Sequence, residues 1–100
     1  MLIFPLKKQW YEKIKSGEKT IEYREVKPYW EKRLVDIFFK DGQVYKKQFK
    51  LCVCKLRLGY TKNYMSARIT KIEIVDGKDT DLHIDKPVYA IHLVDVKEIV

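Results

Sequence analysis

The apolar positions of this chain keep a helical rhythm near its start and then alternate as strands do. Leu2-Ile3-Phe4 predicts a short strand that Pro5 ends. Leu6, Trp10 and Ile14 then recur every four residues with Tyr11 beside them, while Lys7, Lys8, Glu12, Lys13 and Lys15 fill the other side. That spacing predicts an amphipathic helix. Gly17 suits the left-handed position after its last turn, and Lys13 and Lys15 oppose the negative end of the helix dipole. No Ser, Thr, Asp or Asn marks its start. Thr20 to Arg24 alternates with period two, placing Ile21 and Tyr23 on one face and Thr20, Glu22 and Arg24 on the other. The polar face is expected to meet water or a ligand. Pro28 opens a short second helix through Tyr29, Trp30 and Leu34, with Lys32 and Arg33 near its exit.

From Val35 onward the pattern predicts strands. Ile37-Phe38-Phe39 and Val44-Tyr45 flank Lys40-Asp41-Gly42-Gln43, and Asp-Gly is a strong hairpin signal. A long strand is predicted from Phe49 to Leu56, broken by Gly59 and followed by the polar, aromatic loop Tyr60-Thr61-Lys62-Asn63-Tyr64. Apolar residues then occupy 65, 67 and 69, followed by 72 and 74, so the phase slips near Thr70-Lys71 as a β-bulge would make it. Asp76-Gly77 turns the chain, 78–86 is polar, and Pro87 introduces Val88 to Val94, apolar enough for a central strand in which His92 reads as a satisfied core histidine. About six strands and two short helices, without βαβ alternation, predict an α+β fold: a small, closed or half-closed mixed β-barrel. One domain over residues 1–100 is expected.

Composition agrees with a real core: 46% of the 100 residues are apolar and 13% aromatic, which excludes intrinsic disorder. No apolar run nears the roughly 18 residues of a membrane span, and Met1 to Pro5 lacks the basic lead of a signal peptide, so a cytoplasmic protein with no membrane partner is expected. Charge sharpens the picture. The net charge of +7 is uneven: residues 1–50 carry 13 Lys/Arg against 7 Asp/Glu, and residues 51–100 carry 8 against 7. Such an excess either serves solubility or meets a polyanion such as RNA. Cys52 and Cys54 share a strand face, lack a second cysteine pair and are expected to be inert. Neither metal nor cofactor is expected, and a monomer is.

The most informative segment is Gly17-Glu18-Lys19-Thr20-Ile21-Glu22-Tyr23-Arg24. Gly17 lets the backbone turn, Lys19 carries a mobile ammonium, and Glu22 and Arg24 leave one strand face two residues apart. Together they offer an acceptor, a planar donor fork and a point charge, a set able to read a base edge or hold a phosphate. The plain alternative is a solvated Glu22–Arg24 ion pair worth about 0–1 kcal/mol. The octapeptide resembles the G-x-K-x-x-E-x-R signature of the ASCH (activating signal cointegrator homology) family, one of the PUA-like barrels. The flanking segments Leu6 to Lys15, Tyr29 to Leu34 and Leu58-Gly59-Tyr60-Thr61 also resemble short bacterial and phage members.

That resemblance implies RNA or modified-nucleoside binding in a cleft lined by Gly17, Lys19, Glu22 and Arg24. Trp30, Tyr60 and Tyr64 would add stacking surfaces, and Arg33 and Thr61 come from the same matching segments. It also implies a rival. One ASCH branch resembles an N4-acetylcytidine amidohydrolase that uses the motif Lys, a Thr and a later Glu, and ribonuclease activity is suggested for other members. Lys19 matches the Lys, but Glu22 stands where the Thr is expected. Thr20 is the nearest hydroxyl, and Glu73 is a candidate later acid. An enzyme would therefore draw on Lys19, Thr20 and Glu22; a binding module is the expectation.

Overall fold

The computed structural model describes residues 2–40, 43–44 and 53–99, and the side chains within 2–34 and 53–99. Strand β1 (Leu2–Leu6) leads into helix α1 (Lys8–Lys15), strand β2 (Ile21–Glu25) and helix α2 (Pro28–Phe38). Then follow the short strands β3 (Phe39–Lys40) and β4 (Gln43–Val44), and the longer β5 (Val53–Leu58), β6 (Tyr64–Asp76) and β7 (Pro87–Ile99). The main sheet has five strands in the order β1-β5-β6-β7-β2, with β1 parallel to β5 and the other neighbours antiparallel. Its edges are β1 and β2, so among the described residues the sheet is an open half-barrel in a small α+β domain. No helix among the described residues is long and apolar enough to cross a membrane.

Several expectations shift for identifiable reasons. Pro5 does not end β1: the strand runs on to Leu6, which belongs to it and not to the helix. A proline lacks only a donor, and β1, being an edge, pairs on one side with β5 alone. Helix α2 likewise continues through Val35 to Phe38, where strand was expected. Trp30, Leu34 and Phe38 keep a four-residue spacing, and the helix propensities of Val35 and Ile37 fall short of the best formers by only about 0.7 kcal/mol or less. Phe39–Lys40 does pair antiparallel with Gln43–Val44 as the hairpin reading requires, whereas Asp41 and Gly42 lie outside the described residues. The same holds for Tyr45 and for Phe49 to Cys52 of the predicted long strand, and with Cys52 for half of the cysteine pair; Cys54 is buried.

The bulge near Thr70 is present, where pairing passes from Ile69–Leu93 to Lys71–His92. A second shift lies between Ser66 and Arg68, opposite Asp95, whose φ is +53°. Strand β7 is interior, between β6 and β2. His92, however, is only half-buried, and its Nε2 shares a 2.8 Å hydrogen bond with Glu73 Oε1, so it is a paired residue at the margin of the core. The core gathers Phe4, Tyr11, Ile14, Leu34, Leu56, Met65, Ile69, Ile72, Tyr89 and Ile91. Burying Tyr11 and Ile14 holds α1 to the sheet, and a fully buried side chain of this kind contributes about 1.5–3 kcal/mol.

Candidate functional site

Helix α1 ends at Ser16, and Gly17 takes φ +85°, a conformation that a side chain would strain. The Gly17 amide donates to Ile14 O at 3.1 Å and the Lys19 amide to Lys13 O at 3.0 Å, which brings Lys19 back beside the helix. Gly17 thus shapes the site without lining it. On the polar face of β2, expected to meet water or a ligand, Thr20 is exposed while Glu22 turns away from water. Glu22 is 5% exposed, whereas Ile21 and Tyr23 are only half-buried and lie outside the apolar core. At this edge strand the carboxylate points inward.

What compensates Glu22 is a ring of donors. Its Oε1 accepts the Tyr23 amide at 3.0 Å and lies 3.6 Å from Lys19 Nζ, and its Oε2 accepts from Arg24 Nη2 at 3.1 Å. Arg24 Nη2 also donates to Pro5 O at 2.7 Å, so the guanidinium joins the two edges of the half-barrel. Arg24 lies over Trp30 and Phe4, 5.2 and 5.4 Å from their centroids, and Trp30 stacks on Phe4 at 5.0 Å. The Arg24 Nε–H is buried without a hydrogen-bond partner. Lys19 Nζ lies 4.7 Å from the Trp10 centroid and 5.2 Å from that of Tyr23, and it pairs with Asp81. Burial pushes the Tyr23 phenol above its ordinary pKa, and the charges of Asp81 and Glu73 add to the shift.

These groups open onto a cleft of about 530 Å³ between β2, the start of α1, the start of α2 and the 77–86 loop. The volume lies in the range of small-ligand sites. Four cations (Lys7, Lys19, Arg24, Lys27) and three carboxylates (Glu22, Glu25, Asp81) line it, with Trp10 and Trp30. No family model, curated protein or solved structure matches the chain. The site is therefore read from its own geometry.

Of the residues singled out from sequence, Lys19, Glu22, Arg24 and Trp30 come together at this cleft. The others do not. Thr20 precedes β2, is exposed and borders an adjoining, shallower depression of about 260 Å³ that Lys19, Trp10, Tyr23 and Asp81 line as well, while its carbonyl accepts the Leu93 amide. Arg33 lies over its neighbour Tyr29, 3.6 Å from the ring centroid, and donates to Tyr29 O. Tyr60 is 91% exposed on the turn after β5, and Thr61 Oγ1 closes that turn by donating to Leu58 O at 2.7 Å. Tyr64 packs beneath Lys55 Nζ, 4.6 Å away. Glu73 is held by His92 and, at 3.2 Å, by Lys71, and does not border the cleft.

Sequence reasoning missed Trp10 and Asp81. Trp10 was assigned to the helix face that meets the core, yet it is half-buried and faces the cleft. Asp81 sits in an unpatterned polar stretch, and only the turn from Thr80 to His83 brings it to Lys19, so no local signal could have found it. Among the described residues no group of three or more His, Cys, Asp or Glu is placed to hold a metal.

Proposed function

We propose that this chain is an ASCH-type, PUA-like domain that binds single-stranded RNA, or a modified nucleoside within it, by seating one base in the cleft. The observation that carries this reading is the buried Glu22 carboxylate held between Lys19 and Arg24, each of which carries an indole, Trp10 and Trp30 respectively. A base is a flat π-surface with donors and acceptors on its edge, and it needs stacking partners and oriented polar groups together. Each aromatic stack with a base is worth about 1–3 kcal/mol. Glu22 keeps lone pairs for a base amino group, and the Arg24 Nε–H lacks an acceptor.

Charge supports the division of labour. Four cations against three carboxylates leave the cleft close to neutral, which suits a base better than a chain of phosphates. The phosphates then follow the cationic residues outside it. The hydrolase alternative finds less support, because no Ser, Thr or Cys borders the cleft among the described residues, Thr20 lying on the adjoining depression beyond Lys19.

Fluorescence anisotropy with a labelled single-stranded RNA octamer tests the reading. Lys19→Ala, Arg24→Lys and Trp30→Ala should each weaken binding by about fivefold or more, in line with the loss of a charge-assisted hydrogen bond or a stacked base. Lys97→Ala, on the exposed end of β7, should change it little. Equal losses in Lys19→Ala and Lys97→Ala, with Arg24→Lys and Trp30→Ala unchanged, would reduce the interaction to general charge, and no binding by the wild type would refute it.

A further inference from the structure

The 77–86 loop places a carboxylate of the protein itself on the most hidden cation of the cleft. Lys19 is 9% exposed at its side chain, and its Nζ pairs with Asp81 while facing Glu22 and two aromatic rings. The base of the loop is firmly fixed. The Gly77 amide donates to Lys86 O at 2.8 Å, the Ile84 amide donates to Gly77 O, and the buried Thr80 hydroxyl donates to Gly77 O at 2.9 Å. The tip Asp81-Leu82-His83 is exposed but turned back on the anchors, the Leu82 amide donating to Thr80 Oγ1 and the His83 amide to Thr80 O, with His83 in the left-handed region at φ +47°. Asp81 and Leu82 both border the cleft.

A ligand acceptor that reaches for Lys19 therefore meets an ammonium already occupied. We propose that Asp81 is an internal competitor: its carboxylate covers Lys19 and must be displaced when a ligand places its own acceptor there. Asp81 would thereby set a threshold, rejecting weak acceptors and small anions and admitting a ligand whose stacking on the tryptophans offsets the lost ion pair. The proposal rests on the cleft being the binding site. Displacement is open to Asp81, since its side chain is 36% exposed and reaches water.

Two readouts on the full chain test it, using Asp81→Asn and, as a control, Asp85→Asn. Asp85 is an exposed residue of the same loop that pairs with Lys78 away from the cleft, so its substitution makes the same change in net charge. The first readout is acylation of Lys19 by an N-hydroxysuccinimide acetate pulse, located by mass spectrometry. Asp81→Asn should acylate several times faster than the wild type and Asp85→Asn at the wild-type rate; no acceleration overturns the covering contact. The second is affinity for the RNA octamer, which should rise about fivefold in Asp81→Asn, as loss of a competing pair worth about 1 kcal/mol requires, and little in Asp85→Asn. Weaker binding by Asp81→Asn would make Asp81 a residue that positions Lys19 and overturn the proposal, as would equal gains in both variants. Faster acylation with no RNA binding by any variant would support the cover and refute the RNA reading.

Discussion

Removing the carboxylate of Glu22 should destabilise the fold far more than an ordinary change on an edge strand. Glu22→Ala deletes the acceptor of the Tyr23 amide and of Arg24, and takes away one of the two carboxylates beside Lys19. Leaving a buried charge without its partner costs about 3–5 kcal/mol. Here the cost is lower, because Lys19 keeps Asp81, Arg24 keeps Pro5 O, and both Arg24 and Asp81 reach water. A loss of about 2–3 kcal/mol follows, one hydrogen bond of about 1 kcal/mol included. Glu22→Gln, which keeps shape and one acceptor, should lose about half as much. In urea, with a slope of about 1–3 kcal/mol/M, the Glu22→Ala midpoint should fall by about 0.7–3 M at unchanged slope. Glu22→Leu combined with Lys19→Met should recover part of the loss, because an apolar replacement removes two of the three charges together and Arg24 keeps Pro5 O. A change below about 0.5 kcal/mol in Glu22→Ala, the size typical of surface positions, would refute the buried-carboxylate reasoning.

Three further outcomes are expected. Gly77→Ala would set its Cβ 2.5 Å from Lys86 O and 2.7 Å from Ile84 O, both backbone atoms, so it should cost about 1–3 kcal/mol in thermal unfolding; wild-type stability would show that the loop yields freely. The hydrogen bond from His92, with that from Lys71, holds the Glu73 carboxyl below its ordinary value of 4.5, so its contribution is complete above that value and is lost as pH falls through the lowered one. Wild type should therefore lose its small advantage over Glu73→Gln, under about 1 kcal/mol at this partly exposed pair, as pH falls below 4.5, and a gap that widens on acidification would contradict this. RNA affinity should fall with salt at a log-log slope of about −0.7 per phosphate contacted, and a flat response would remove the electrostatic part of the proposed function.

Much of the sheet was legible because strand periodicity reports which residues share a face. The bulge at Thr70 and the start of β7 at Pro87 followed from phase and punctuation alone. Periodicity does not report which face the core takes. For β2 it grouped Glu22 with Arg24 correctly, yet the inward direction of that face depends on β2 being an edge strand opposite Pro5 of the other edge. Local rules also failed at Pro5 inside β1, where an edge strand pairs on one side only, and at the β-branched residues that continue α2, whose helical cost is small. Within the candidate site, the motif spacing brought out Lys19, Glu22 and Arg24, whereas Asp81 arrives from 62 residues away through a turn with no sequence signature. Tyr60 and Thr61 illustrate the converse, since the segment that brought them out places neither at the cleft: Thr61 closes its own turn and Tyr60 is exposed.

The chain holds two tryptophans, Trp10 and Trp30, and both border the cleft. Their indole N–H signals in a two-dimensional ¹⁵N–¹H spectrum therefore report on the central claim with little ambiguity. Titration of the labelled protein with a single-stranded RNA octamer should shift both indole signals together with the Tyr23 amide, along one saturable curve. Movement confined to amides outside the cleft, with both indole signals unchanged at saturation, would contradict the seating of a base between Lys19, Glu22 and Arg24.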